Sequence, residues 1–171
     1  MNAQQKRSAR RGFSLIEVAV ATAIVGFALT ALMVAAASNT RVNDAGRKIT
    51  QAIFLAQEIR EWTLALPFSD QDPADQGKPP GPDGSDPQLF VDDLDDLMSV
   101  TFSPPRDGQG LPVNELPGWS QTIGLSWRDP ADLTTEVAAG GSDVIYVTVT
   151  VAFNGETILT TSWLRTRRAD E

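Results

Sequence analysis

The sequence predicts an α+β protein in which a long N-terminal helix packs on a small antiparallel β-sheet. Two observations carry this prediction. An apolar run starts at Phe13 and continues as an amphipathic segment with helical periodicity to Leu66, whereas the last third of the chain alternates with the period of two that strands show. The length of 171 residues allows one or two small domains. The predicted divisions are a leader (1–12), a membrane helix half (13–38), an amphipathic helix half (39–66) and a head (67–171).

The charges are sorted along the chain and exclude several function classes. The formal charge is −8, and the leader is its basic part, with Lys6, Arg7, Arg10 and Arg11 and no acid. The acidic remainder argues against nucleic-acid binding, which needs phosphate-neutralising cations. The chain has no Cys and no His, which excludes thiol and His-dependent catalysis and the commonest zinc sites. Without a nucleophile–base pair or a phosphate-binding loop, we expect no enzyme and no cofactor.

The first half of the predicted helix is long and apolar enough to cross a membrane. Its only charge is Glu17, and the 20 residues from Val18 to Ala37 are all uncharged. A hydrocarbon core of about 30 Å needs about 20 such residues in a helix. The basic leader favours a cytoplasmic N-terminus modestly, because Arg41, Arg47 and Lys48 follow the helix.

Two simpler interpretations of this N-terminus stay open on composition alone. One is a secretory signal peptide, with small residues at 35–38 for cleavage, or a twin-arginine signal at Arg10-Arg11. The apolar run is longer than a usual signal core and has an acid near its start. The other is a plain single-pass anchor.

The junction between leader and helix favours a third interpretation of the N-terminus over a signal peptide or a plain anchor. It has the sequence Arg10-Arg11-Gly12-Phe13-Ser14-Leu15-Ile16-Glu17-Val18. This resembles the class III signal of type IV prepilins and type II secretion pseudopilins. The resemblance implies that a prepilin peptidase cuts between Gly12 and Phe13 and that Phe13 becomes N-methylated. It also implies that Glu17, the fifth residue of the mature chain, acts in docking to other subunits. The helix lacks the proline of some major pilins, which weakens a match to a major pilin.

The amphipathic half has one apolar stripe at steps of three and four residues. The stripe consists of Val42, Ala45, Ile49, Ala52, Ala56, Ile59, Thr63 and Leu66. Gly46 makes a bend near residues 43–46 conceivable, and Pro67 ends the helix. The stripe is predicted to pack on the sheet, an arrangement that the pilin resemblance also implies.

An acidic, proline-rich loop follows over residues 67–96, with nine Asp, one Lys and six Pro. The favoured interpretation is a solvated, extended or mobile loop. Asp92, Asp93, Asp95 and Asp96 are weak calcium candidates, since Ca²⁺ takes carboxylate oxygens, although their spacing is not that of an EF-hand. No metal site is therefore predicted.

Three strands are predicted in the head. Residues 142–153 alternate, Asn154-Gly155 is a strong hairpin signal, and 156–166 return as the partner strand. The third strand is 119–127. The four tryptophans are expected in the core or at its rim rather than in a ligand platform; they are Trp62, Trp119, Trp127 and Trp163.

These observations predict a non-enzymatic minor pilin or pseudopilin. Its expected partners are prepilin peptidase, inner-membrane lipid and other subunits, which it contacts through its N-terminal helix. The head would lie in the periplasm or outside the cell, and the mature chain in the assembled filament. The alternative is an anchored or exported binding domain that uses the acidic loop, with or without calcium.

Overall fold

The computed structural model describes residues 12–70, 78–82, 86 and 90–168. The chain forms two compact units, Met1–Ala45 and Gly46–Glu171. The elements are helix α1, a short 3₁₀ turn and five strands. Their bounds are α1 Leu15–Ala65, the 3₁₀ turn Asp95–Leu97, β1 Thr101–Phe102, β2 Trp119–Asp129, β3 Asp132–Glu136, β4 Val144–Phe153 and β5 Glu156–Thr166. The α+β prediction is confirmed.

Helix α1 is continuous over 51 residues and includes Gly46 within it. It begins two residues after the predicted start and ends one residue before the predicted end, because Ser14 caps it and Pro67 cannot continue it. In the first unit, every described side chain is exposed.

In the second unit, one face of α1 packs on the sheet. Its buried residues are Ala52, Leu55, Ala56, Ile59, Trp62 and Thr63. The predicted stripe is correct from Ala52 onward. It is wrong earlier, because Val42 is 67% exposed and Ile49 is 50% exposed. Leu55 and Trp62 widen the buried face beyond the predicted line, since a sheet covers a broader band of a helix than a single row of side chains.

The sheet is antiparallel and has the order β1-β2-β4-β5, with β3 also paired to β2. The predicted hairpin is β4–β5, in which Phe153 pairs with Glu156 across the Asn154-Gly155 turn. Both turn residues have positive φ, 50° and 81°, as a two-residue hairpin loop requires.

Two strands were missed by the sequence pattern, and the predicted first strand of the hairpin started two residues early. Strand β1 is only two residues long. All five residues of β3 are exposed, so this strand has no alternation of apolar and polar positions to detect.

The core lies between α1 and the sheet. The inward side of β4 supplies Ile145, Val147, Val149 and Val151, each no more than 1% exposed. The remaining buried members come from α1, β2, the segment around the 3₁₀ turn, Phe102 on β1, and Leu66 and Phe68 directly after α1. Trp62, Trp119 and Trp127 are buried and Trp163 is half-buried, so the prediction of core or rim positions is confirmed.

Candidate processing site and acidic cluster

The predicted cleavage peptide, Gly12–Phe13, lies immediately before α1 in non-helical backbone. Phe13 is 82% exposed, and a Cβ atom added to Gly12 would meet nothing within 4 Å. The fold of the described residues therefore does not require glycine at this position. The basic leader residues, Lys6, Arg7, Arg10 and Arg11, lie outside the described residues.

Ser14 caps the start of α1. Its Oγ accepts the backbone N–H of Glu17 at 3.2 Å, and its carbonyl accepts the N–H groups of Glu17 and Val18. The sequence analysis missed this role, although Ser-x-x-Glu before an apolar run is a known signature of a helix start. Glu17 lies in the first turn, where a carboxylate interacts favourably with the helix dipole, and its side chain is exposed.

The part of α1 that follows is apolar and wholly exposed. Helix Leu15–Ala65 contains an 18-residue window that is apolar enough to cross a membrane, and none of that window is buried within the protein. Phe27 is 78% exposed and Met33 is 76% exposed. An exposed apolar helix of this length needs lipid or other apolar helices around it, which fits membrane anchoring.

The acidic segment before β1 differs from the solvated loop that the sequence predicted. Asp93 is 2% exposed and Asp96 is 0% exposed, and each is followed directly by a fully buried leucine, Leu94 or Leu97. The two leucines anchor this segment in the core, and they take the aspartates with them. Parts of the loop lie outside the described residues, including Asp72, Asp75 and Asp83.

The two buried carboxylates bind backbone N–H groups around the 3₁₀ turn. Asp93 Oδ1 accepts from the N–H groups of Asp95 and Asp96, at 2.9 and 3.2 Å. Asp96 Oδ2 accepts from the N–H groups of Asp92 and Asp93, at 3.0 and 3.5 Å. Aspartate commonly stabilises turns in this way. The result is a tight turn that brings several negative charges together.

One group of three carboxylates in the described residues has metal-ligand spacing. One oxygen each from Asp93, Asp95 and Asp96 lies within 4.8 Å of the others. Asp92, the fourth weak calcium candidate, is exposed and is not part of this group, although it lies close to Asp96 and Asp93. We call Asp93, Asp95 and Asp96 the acidic cluster.

The cluster is electrostatically strained. Burial, and next the negative charge of Asp95, raise the pKa of Asp93 to about 7. Burial and the neighbouring Asp96 also raise the pKa of Asp92. The Oδ2 atom of Asp93 is buried and has no hydrogen-bond partner among the described residues.

A cleft of about 320 Å³ opens beside the cluster. It is lined by Asp95 together with Asp70, Lys78, Trp127 and Arg167 among others. Arg167 is held there by Asp143 Oδ1 and Ser69 Oγ, each at 2.8 Å. Residues 78–82 approach the cluster through the Gly81 N–H, which donates to Asp95 Oδ1 at 3.2 Å. Asp95 is the member of the acidic cluster that lines this cleft.

Comparisons with known proteins bear on the N-terminus alone. No curated protein and no solved structure matched the chain. Residues 7–36 match the family model described as the prokaryotic N-terminal methylation motif. These residues include Gly12, Phe13 and Glu17, and the motif implies processing by a prepilin peptidase and assembly with other pilins. It suggests a structural subunit rather than an enzyme. The chain thus carries a class III prepilin signal in front of a pilin-like α+β fold, as expected of a type IV pilin or pseudopilin precursor.

Proposed function

We propose that this protein is a minor subunit of a type IV pilus or of a type II secretion pseudopilus. In this proposal a prepilin peptidase removes residues 1–12 at the cytoplasmic face and methylates the new N-terminus of Phe13. The mature chain stays in the inner membrane through the first half of α1, with the head in the periplasm, until it enters a filament.

The observation that carries the proposal is the methylation motif at residues 7–36, joined to an exposed apolar helix. The exposed cut site supports it, because a protease must bind its peptide in an extended form outside regular structure. The helix dipole and the new amine of Phe13 supply positive potential near Glu17, so its carboxylate can be tolerated at a membrane boundary. In a filament, the same carboxylate can pair with the Phe13 amine of a neighbouring subunit.

The minor role is favoured by features of the head. The acidic segment between α1 and β1 is unusual, and the terminal hairpin β4–β5 resembles that of minor pilins and minor pseudopilins. No proline interrupts α1 before Pro67, which also separates this helix from those of some major pilins.

The decisive experiment is the intact mass and N-terminal sequence of the mature full-length protein, produced with and without a co-expressed prepilin peptidase. We expect the precursor alone to keep Met1, and the co-expressed protein to start at N-methylated Phe13. A start near Ser38 or Asn39, or an uncut chain in the presence of the peptidase, would support an exported or anchored binding domain and contradict the proposal.

Gly12→Val provides a matched control for the same experiment. Because a side chain at this position meets nothing within 4 Å in the described structure, the variant should fold and insert normally. We expect it to remain uncut. Unchanged cleavage of this variant would mean that the cut lies elsewhere.

A further inference from the structure

The last strand, β5, forms one edge of the sheet. It pairs with β4 on one side, and no described strand pairs with its other side. The inward side chains of the neighbouring β4 are no more than 1% exposed, whereas Leu159, Thr161 and Trp163, which face inward on β5, are only half-buried. Coverage of the core therefore decreases at β5, as it does at a sheet edge without a neighbour.

Both ends of this edge carry devices against pairing, and its middle does not. A β-bulge interrupts the register with β4 near the start of β5, at Val151/Ala152, and Arg165 points inward near its end and is 4% exposed. Bulges and inward-pointing charges are two ways in which proteins prevent edge strands from pairing. Between them, residues 157–164 contain no charge and no proline. The open stretch has the length of an ordinary strand.

A groove runs between this edge and α1, and we call it the α1–β5 groove. It contains a cleft of about 200 Å³ that is lined by Ala56, Gln57, Arg60, Thr161, Ser162 and Trp163. Ile53 and Ile49 precede Arg60 by seven and eleven residues, so they lie on the same line along the helix. They are 47% and 50% exposed. The sheet therefore covers α1 incompletely on the side of β5, and one more strand would cover these isoleucines.

The charges of α1 differ between its two sides. Arg60 is exposed and lines the groove. Glu58 and Glu61 lie on the other side, against Gly108 in the loop between β1 and β2. A positive charge at the groove favours a partner with an acidic side chain at the matching position.

We propose that the α1–β5 groove binds an extended, acidic segment of another protein as an added strand. Backbone hydrogen bonds to the edge of β5 would supply affinity, and apolar side chains at alternate positions would cover Ile49 and Ile53. An acidic side chain on the same face of the segment would pair with Arg60. A second copy of β5 fits less well, because a two-fold axis through the middle of the strand would bring the two Arg60 side chains together.

This inference goes beyond the proposed filament role and does not depend on it. All residues of the groove lie in the second unit. Processing at Gly12 and membrane insertion can therefore be normal whether or not the groove binds a partner.

The test uses the full-length protein in detergent micelles and a fluorescein-labelled peptide, VTVTETVTV, whose valines and glutamate share one face of a strand. Two probes are matched to it: VTVTKTVTV, which reverses the charge, and the first peptide with N-methylated backbone amides, which keeps the side chains and removes the donors. Fluorescence anisotropy measures binding. We expect saturable binding of the glutamate peptide below about 1 mM and at least about tenfold weaker binding of both other probes. Absence of saturable binding, or equal binding of the N-methylated probe as in adsorption to an apolar surface, would overturn the proposal.

Arg60→Glu is the informative variant, because Arg60 is exposed and its replacement leaves the core unchanged. We expect it to weaken binding of the glutamate peptide by about tenfold or more and to strengthen binding of the lysine peptide. Arg47→Glu makes the same charge change at an exposed position on another line of α1 and should alter either affinity by less than about twofold. Equal effects of the two substitutions would indicate general charge attraction and contradict a site in the groove. A dimer in sedimentation that the glutamate peptide dissociates would place a second copy there and would also contradict it.

Discussion

The side-chain amide of Gln121 donates a hydrogen bond of 2.8 Å to the backbone carbonyl of Leu55, which joins the inside of the sheet to α1. Gln121 is fully buried on β2. Its amide also donates to the Arg106 carbonyl at 3.1 Å, and its Oε1 accepts the Arg106 N–H at 2.6 Å. One polar side chain thus connects the helix, the sheet and the loop between β1 and β2.

We expect Gln121→Leu to lower the free energy of unfolding by about 2–3 kcal/mol, because the half-buried N–H of Arg106 loses its acceptor and two carbonyls each lose a donor. Denaturant unfolding of the full-length protein in micelles, followed by tryptophan fluorescence, measures this effect. Gln109→Leu makes the same chemical change at an exposed position and should be nearly neutral. Equal stability of the two variants would show that the three hydrogen bonds contribute no net stability.

Gly110, in the same loop between β1 and β2, lies against Trp62 of α1. Its φ is +77°, and an added Cβ would approach Trp62 Cζ2 to 2.6 Å. We expect Gly110→Ala to destabilise the head by about 3 kcal/mol, combining the cost of the left-handed backbone with that of steric overlap. Gly155→Ala isolates the first term, because Gly155 has a φ of +81° and open space around it; the expected loss is about 1 kcal/mol. Similar losses in both variants would contradict the clash with Trp62.

Two arginine side chains from the C-terminal part of the chain bind backbone carbonyls at the end of α1. The last turn contains no basic residue, yet Arg168 donates to the Leu64 carbonyl at 3.0 Å and Arg165 donates to the Leu66 carbonyl. Cations at this end interact favourably with the helix dipole and with the free carbonyls.

We expect Arg165→Met to cost about 2 kcal/mol, because Arg165 is 4% exposed, and Arg168→Met to cost about 0.3–1 kcal/mol, because Arg168 is exposed. Arg60→Met, an exposed change on α1 itself, is the control and should be near neutral. Denaturant midpoints at low and high salt are the measurement. A loss in Arg168→Met that is independent of salt would argue against an electrostatic origin.

Glu17 and Ser14 allow charge and capping to be separated at the start of α1. We expect Glu17→Ala and Glu17→Gln to be cut and methylated normally but to enter filaments poorly, since both lack the carboxylate that would pair with a neighbouring amine. Ser14→Ala loses the cap, which is worth about 1 kcal/mol, but keeps the charge, so it should be incorporated. The readout is the fraction of mature protein in sheared filament preparations against the membrane fraction. Normal incorporation of both Glu17 variants would remove Glu17 from the docking mechanism.

The elements with strong periodicity could be predicted from the sequence. The bounds of α1 and β5 differ from the prediction by two residues or fewer, because Pro67 and the Asn154-Gly155 turn mark their ends clearly. Strand β3 could not be found, since its residues are all exposed and its place is fixed by pairing with β2 rather than by burial.

One candidate site could likewise be predicted from the sequence, and the other could not. Gly12, Phe13 and Glu17 belong to a local motif, and the family match covers all three. The burial of Asp93 and Asp96 could not be predicted from the composition of the segment 67–96, because an acidic, proline-rich composition is typical of a solvated loop. Leu94 and Leu97 between and beside them are the signal that was present, because an apolar residue every third position in a polar segment indicates a turn anchored on a core.

The contact between Arg168 and Leu64 spans 104 residues of sequence. Ribosomes deliver α1 first and β5 last, and β5 together with the arginines beyond it completes the sheet and covers the end of the helix. Contacts of such long range form late, because the chain between them must close a large loop. The apolar half of α1 can therefore be synthesised while the head is still unfolded. A chain truncated before β5 would then have an unfolded head and would be a substrate for proteases.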